Sequence, residues 1–249
     1  MIKAVEKALI ILEILEREKL IGVTQIANRI DINKSSVYRI LETLQTRELV
    51  EKDELTNKYK LGLGFLRFSA SVQEKLEITA IAKPCLEELV EITQESAHLC
   101  ILSKNKAVCI ERKNSSGIIN ISANIGDEEP VHCSAVGKTL AAFLPEDKLD
   151  KILKKTELKQ FTPRTMTSKP ALLACFEKIR QQGYAIDDEE IYTGVRCVAA
   201  PVRDYSGNVI ASVGVSGSAG RIQPDNIEQY AEFVKEFALK ISSKLGYKQ

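Results

Sequence analysis

Between Val23 and Leu44 the chain carries two short runs of apolar residues at helical spacing, separated by Asp31-Ile32-Asn33. The first run puts Ile26, Ala27 and Ile30 on one side, and the second puts Val37, Ile40, Leu41 and Leu44 on one side. Two helices this short, joined by three residues, bury those faces by crossing closely. Such a crossing needs a small residue midway along the first helix, and Ala27 stands there. The turn needs a residue that tolerates a left-handed backbone, and Asp31 does so at modest cost. Thr24 opens the first helix, and Asn33 or Ser35 caps the second. Upstream, Ile2 to Arg17 repeats apolar residues at Val5, Ala8, Leu9, Leu12 and Leu15, the spacing of one buried helical face, and Gly22 is expected to stop this helix. Downstream, Leu49-Val50 and Tyr59-Lys60-Leu61 bracket the polar run from Glu51 to Lys58, which reads as a hairpin. Three helices followed by a hairpin make a winged helix-turn-helix, here expected over residues 1–62.

The outward face of the second of the paired helices suggests what it touches. At 100° per residue, Ser35, Arg39 and Glu42 lie opposite Val37, Leu41 and Leu44, with Ser36, Tyr38 and Thr43 on the flanks. Arg39 suits a guanine edge or a phosphate, and Ser35, Ser36 and Tyr38 suit phosphates or base edges. Thr24 and Lys34 stand at helix starts, and Lys58, with Lys52 and Lys60, is placed on the hairpin to grip the neighbouring backbone. These residues predict binding to double-stranded DNA. Charge alone does not: Lys34 to Lys60 holds six basic and five acidic residues, and the whole chain has a formal net charge of +1. Specific contacts must therefore outweigh general attraction.

Gly62 and Gly64 mark a junction, and Phe65 to Glu77 has the pattern of a linker helix over 63–77, with Leu66, Ala70 and Leu76 as apolar area for pairing between copies. Ile78 to Glu95 follows as a long helix, with Pro84 at a first-turn position or a kink. The period then becomes extended. Strands are expected at Ala97–Ser103, Lys106–Arg112, Ile118–Ile125, Val195–Arg203 and Asn208–Ser216, with 126–130 a polar loop. Helices are expected at Ser134–Leu144, Glu146–Lys155, Ser168–Gln182 and from Pro224 to about Leu245. Helices flanking a mostly antiparallel sheet define an α+β domain over 78–249.

The most apolar early stretch, Ala8 to Leu15, is interrupted by Glu13 and is too short for a membrane span or a signal segment. A cytoplasmic protein with no membrane partner is the expectation. The cysteines at 85, 100, 109, 133, 175 and 197 are dispersed without a CxxC pair, as reduced core thiols are. Two other chemistries deserve weighing. Cys133 beside His132, or Cys197 with His98 or His132, could form a thiol nucleophile and base. His98, Cys100, His132, Cys133, Asp187 and Cys197 include zinc-ligand types, though without local ligand spacing. Neither pattern is supported by a nucleophile turn or a metal motif, so neither catalysis nor a metal or other cofactor is expected.

Several ordered blocks carry a family resemblance. The segments Val23-Thr-Gln-Ile-Ala-Asn-Arg-Ile, Lys34-Ser-Ser-Val-Tyr-Arg-Ile-Leu-Glu-Thr-Leu and Tyr59-Lys-Leu-Gly resemble the DNA-binding half of the IclR family of transcription regulators. His132-Cys-Ser-Ala-Val-Gly-Lys, Gly183-Tyr-Ala-Ile-Asp-Asp-Glu-Glu, Gly194-Val-Arg-Cys-Val-Ala-Ala-Pro-Val and Val213-Gly-Val-Ser-Gly are similar to blocks of that family's effector domain, in order. The resemblance implies a GAF-like C-terminal domain that binds a small organic acid, and a homodimer or dimer of dimers on DNA. It also implies a pocket. The backbone of Ala135 and Val136 meets the ligand carboxylate, where a helix N-terminus favours an anion. Asp187 and Cys197 line the pocket, and the Ser216 hydroxyl bonds the ligand. Many relatives carry serine where this chain has Gly214, which implies a lost donor and added space for a bulkier ligand.

Overall fold

The structure, a computed structural model, describes residues 2–73, 77–115 and 123–248. The chain divides into two compact units, Met1–Leu76 and Glu77–Gln249.

The first unit holds α1 (Lys3–Glu18), α2 (Val23–Ile30), α3 (Lys34–Gln45), the hairpin strands β1 (Val50–Asp53) and β2 (Lys58–Leu61), and α4 (Gly64–Gln73). Its core joins Ile11 and Leu15 of α1, Ile26 and Ala27 of α2, Val37 and Leu41 of α3, and Val50 and Tyr59 of the hairpin. Asp31 closes α2 in the left-handed region (φ 50°, ψ 54°), and Asn33 caps α3 by accepting the Ser36 N–H at 2.8 Å. Ile21 and Tyr59 exchange both backbone hydrogen bonds, at 3.0 and 2.8 Å, which fastens the hairpin to the chain before α2. A Cβ on Gly62 would lie 2.2 Å from the Glu48 carbonyl oxygen, so only glycine lets the chain leave the hairpin there.

Two details of this unit differ from what the sequence predicts. Val5 and Leu9 are 54% and 56% exposed, and the buried face of α1 is Ile11 and Leu15. Apolar residues surround most of α1, and a unit of three helices covers only one side of it. Gly22 does not stop α1, which ends at Glu18 with Lys19 at φ 57°; Gly22 is the N-cap of α2, which begins at Val23.

The second unit holds α5 (Glu77–Thr93), β3 (Ser96–Ser103), β4 (Lys106–Lys113), β5 (Glu128–Pro130), α6 (Ala135–Ala142), α7 (Glu146–Lys155), α8 (Lys169–Gln182), β6 (Ala185–Asp188), β7 (Val195–Arg203), β8 (Val209–Ser218) and α9 (Ile227–Lys244). The strands form one antiparallel sheet in the order β5-β4-β3-β8-β7-β6. Val198, Ala199 and Ala200 are all fully buried, so both faces are covered at β7. Successive side chains of a strand alternate between faces. The Ala199 face packs on α6, with Cys100, Cys109, Ala135, Val136 and Leu140, while α5 and α9 pack on the strands from the other side. The architecture is α+β.

Here too the sequence reading needs correcting. Pro84 lies inside α5, beyond its first turn. Glu128–Pro130 is not loop but an edge strand paired with Lys106–Val108. The four-residue strand β6 went unseen, because Asp187 and Asp188 break an already short apolar run. The expected strand Ile118–Ile125 lies mostly outside the described residues, as does the end of the expected linker helix. No helix among the described residues is long and apolar enough to cross a membrane.

Candidate DNA-binding surface and effector site

On the first unit, Thr24, Lys34, Ser35, Tyr38, Arg39 and Lys58 are exposed and Ser36 is half-buried. Lys34, Ser35, Ser36, Tyr38 and Arg39 share α3. Thr24 lies in the first turn of α2, and Lys58 opens β2. Ser35 Oγ donates to Asn33 Oδ1 at 2.9 Å, which leaves its lone pairs free to accept. Ion pairs take up acids and bases of this unit in equal number and leave its net charge as the sequence gives it. Glu18, Glu48 and Glu51 are taken up by Arg29, Arg67 and Lys60. Among the described residues, Lys34, Arg39 and Lys58 have no carboxylate partner.

On the second unit a cavity of about 1050 Å³ opens on the α6 side of the sheet. Asp187, Cys197 and Ser216 line it together. They stand on adjacent strands in register, Asp187 opposite Cys197 and Cys197 opposite Ser216, and the Cys197 Sγ lies 3.1 Å from Ser216 Oγ. Ala135 and Val136 are not on the cavity wall. They pack with Cys100, Cys109 and Ala199, and Cys197 leans on that cluster. They occupy the first two positions of α6, whose cap Ser134 accepts the Gly137 N–H at 3.0 Å. The first backbone donor to reach back into the helix start is Lys138 N, to Ser134 O, so the Ala135 and Val136 N–H groups precede the ladder.

Asp187 is 3% exposed, and burial pushes its carboxyl up to about 7, with the Glu190 N–H at 2.7 Å and Lys138 opposing the rise. At neutral pH the site therefore holds both the acid, which donates, and the carboxylate, which accepts. Burial also raises Glu129, which lines the cavity. Beneath the site, the ammonium of Lys138 is paired with Glu190, both side chains being buried. Phe161 and Tyr192 line the outer part of the cavity and are 42% and 67% exposed. His132 lines it as well; its Nε2 faces the Lys159 carbonyl at 3.0 Å, and its buried Nδ1 has no partner among the described residues.

Sequence reasoning missed Glu129, Phe161, Tyr192 and the Lys138–Glu190 pair. A lysine inside the run Ala-Val-Gly-Lys-Thr-Leu-Ala-Ala was the available sign of the last. The room expected at Gly214 is absent: a Cβ there would lie 3.1 Å from Ala199 Cβ and from Val198 O, and 3.3 Å from His98 Nε2. Space for a larger ligand comes from the outer cavity instead.

Burial raises the thiols of Cys133 and Cys197, the reverse of an activated nucleophile. Among the described residues no three of His, Cys, Asp and Glu converge to hold a metal ion.

A helix-turn-helix surface on one unit and a ligand-sized cavity in the other define a ligand-responsive DNA-binding regulator. Comparison with known proteins agrees. The sequence model of the IclR helix-turn-helix domain matches residues 4–54, and that of the bacterial transcriptional regulator IclR C-terminal domain matches residues 70–243. The HTH-type transcriptional regulator KdgR of Escherichia coli K12 is 34% identical over 246 residues, spanning 99% of this chain and 94% of that protein. The crystal structure of the Thermotoga maritima IclR superposes with a TM-score of 0.83 at 31% identity, covering 99% of this chain and 100% of that one. An IclR homolog of Microbacterium hydrocarbonoxydans, crystallised with 4-hydroxybenzoate, shares the fold at TM-score 0.79 and 22% identity, over 91% of each chain. The chain belongs to the IclR family of transcription regulators, with an N-terminal DNA-binding domain and a C-terminal effector-binding domain.

Proposed function

We propose that this regulator responds to a small carboxylic acid bound in the cavity of its C-terminal unit, and that binding changes its affinity for an operator. One observation carries the reading: Asp187, Cys197 and Ser216 converge on one wall of the cavity, next to a cluster that holds the start of α6. In this reading the Ala135 and Val136 N–H groups receive the acid's carboxylate, favoured by the helix dipole. Ser216 and the protonated form of Asp187 donate to its other oxygens. A carboxylate in the homolog crystallised with 4-hydroxybenzoate is consistent with the same ligand class.

The operator is met by Ser35, Ser36, Tyr38 and Arg39 on α3, with Thr24, Lys34 and Lys58 on flanking phosphates. The regulator acts as a homodimer or dimer of dimers. Exposed apolar side chains support this, with Val5 and Leu9 on α1 and Leu66, Phe68 and Val72 on α4. It works in the cytoplasm without metal, cofactor or turnover. The effector shifts DNA affinity only by its differential affinity for DNA-competent and DNA-incompetent states.

A thermal-shift screen of small organic acids on the full chain tests the reading, because a ligand of the native state raises its stability. A rise in Tm with at least one acid class, abolished in Asp187→Ala, supports it. A flat response across the screen contradicts it.

A further inference from the structure

Directly opposite residues of antiparallel neighbours carry their side chains to the same face of a sheet. One row of the sheet holds Asp187, Cys197 and Ser216. The next row on the same face holds Ala199, Gly214, His98 and Arg112. His98 thus shares its face with the three side chains assigned to the effector, one row in from them and behind the cavity wall that they line. It is 2% exposed, and its buried Nδ1 has no hydrogen-bond partner among the described residues. Its Nε2 stands 3.3 Å from where a Cβ on Gly214 would be. The imidazole, with Ala199 Cβ and the Val198 carbonyl, therefore closes the space that a side chain at 214 would take, and brings hydrogen-bonding capacity there. A buried polar atom with no partner carries a desolvation penalty that a ligand group would relieve.

We propose that His98 is a specificity-determining residue of the effector site, hydrogen-bonding through its imidazole to a hydroxyl or oxo group of the bound acid. The inference rests on the reading of this cavity as the effector site. Burial, with Arg112 nearby, pushes the imidazole down to about 4. It is neutral at physiological pH, so one ring nitrogen donates and the other accepts. Such a ring pairs with a hydroxyl or a carbonyl oxygen and is no counter-ion for the carboxylate, which has the start of α6. The Arg112 guanidinium is held by the Ala123 carbonyl at 3.3 Å and Asn124 Oδ1 at 2.5 Å, which keeps it at the end of the row.

The chain has two histidines, so full-length protein labelled with ¹⁵N-histidine gives two imidazole spin systems, assigned with His98→Asn and His132→Asn. The probes are acids paired with and without oxygen substituents: pyruvate and lactate against propionate, 4-hydroxybenzoate against benzoate, gluconate against hexanoate. Thermal shift is read in parallel. At least one oxygenated acid should stabilise the protein and move the His98 resonances. His98→Leu should bind that acid about tenfold more weakly, the size of one neutral hydrogen bond, and bind its oxygen-free partner unchanged. Gly214→Ser in a His98→Ala background should restore part of the loss, a rescue that a purely structural histidine would not give. If His98→Leu fails to fold, the wild-type resonances decide. Acid binding that leaves the His98 resonances still overturns the assignment of His98 and spares the cavity reading. Stabilisation by no acid at all overturns the cavity reading, and this proposal with it.

Discussion

The buried ammonium of Lys138 on α6 is paired with the buried carboxylate of Glu190, and the Glu190 N–H in turn donates to Asp187 Oδ1 at 2.7 Å. One ion pair thus joins the helix whose start is assigned to the ligand carboxylate to the turn that carries Asp187. Removing one partner of such a pair leaves an uncompensated buried charge, which costs about 3–5 kcal/mol. Lys138→Met is expected to lower stability by about that amount in urea denaturation. The double variant Lys138→Met/Glu190→Leu should recover most of it, because it leaves no charge behind. Equal losses in both variants would mean that packing, not charge, accounts for the pair.

Asp187 gives the stability a pH dependence with a definite sign. Its folded-state pKa, about 7, lies above the ordinary aspartate value of 3.8. The folded chain therefore holds a proton that the unfolded chain releases. The favourable contribution is complete below about pH 4 and is lost as pH rises to about 7. Asp187→Asn keeps an oxygen for the Glu190 N–H and carries no charge. Its stability relative to the parent should rise between pH 4 and 7, by on the order of 2–4 kcal/mol, and then level off. A constant difference across that range would show that Asp187 is ionised throughout. His98 acts in the opposite direction. Its pKa is depressed to about 4, so its contribution is complete above 6.5 and lost as pH falls towards 4.

Arg39 is exposed on α3 without a carboxylate partner. Arg39→Ala should weaken operator binding by about 1–3 kcal/mol and relax preference at one base position. Lys58→Ala should weaken binding to all sequences alike and lower the salt slope by about one. The two are separated by fluorescence anisotropy on operator and unrelated duplexes at several salt concentrations. A uniform effect of Arg39→Ala across sequences would place Arg39 on phosphate.

Gly62 is held against the Glu48 carbonyl, 2.2 Å from where a Cβ would sit. Gly62→Ala must shift backbone, at a cost of about 1–3 kcal/mol. Thermal unfolding should show a lower Tm and weakened DNA binding together. An unchanged Tm would mean that the turn after β2 adapts freely.

The elements that were legible in the sequence are those whose local chemistry and burial agree. Helices α2 and α3 were readable because Ile26, Ala27, Val37 and Leu41 all became core, and because Asp31 and Asn33 are the residues their turn requires. Helix α1 was read only partly on its buried face: Leu12 and Leu15 reach the core as expected, but Val5 and Leu9 are as apolar as Ile11, and only tertiary packing chooses between them. Strand β5 was invisible because Glu128 and Glu129 carry no apolar alternation; pairing with Lys106–Val108 makes it a strand. Asp187, Cys197 and Ser216 came from family resemblance, since nothing local distinguishes a pocket serine from a strand serine. His98 drew attention only as a possible base or ligand. Its position over Gly214 depends on the register of β3 on β8, which no local pattern encodes.

Operator affinity of the full chain, measured with and without an acid that stabilises it, tests the central claim most directly. The account predicts that such an acid changes operator affinity at least several-fold and that Asp187→Ala abolishes the change while leaving acid-free DNA binding intact. An acid that raises Tm through this cavity yet leaves operator affinity unchanged would contradict it.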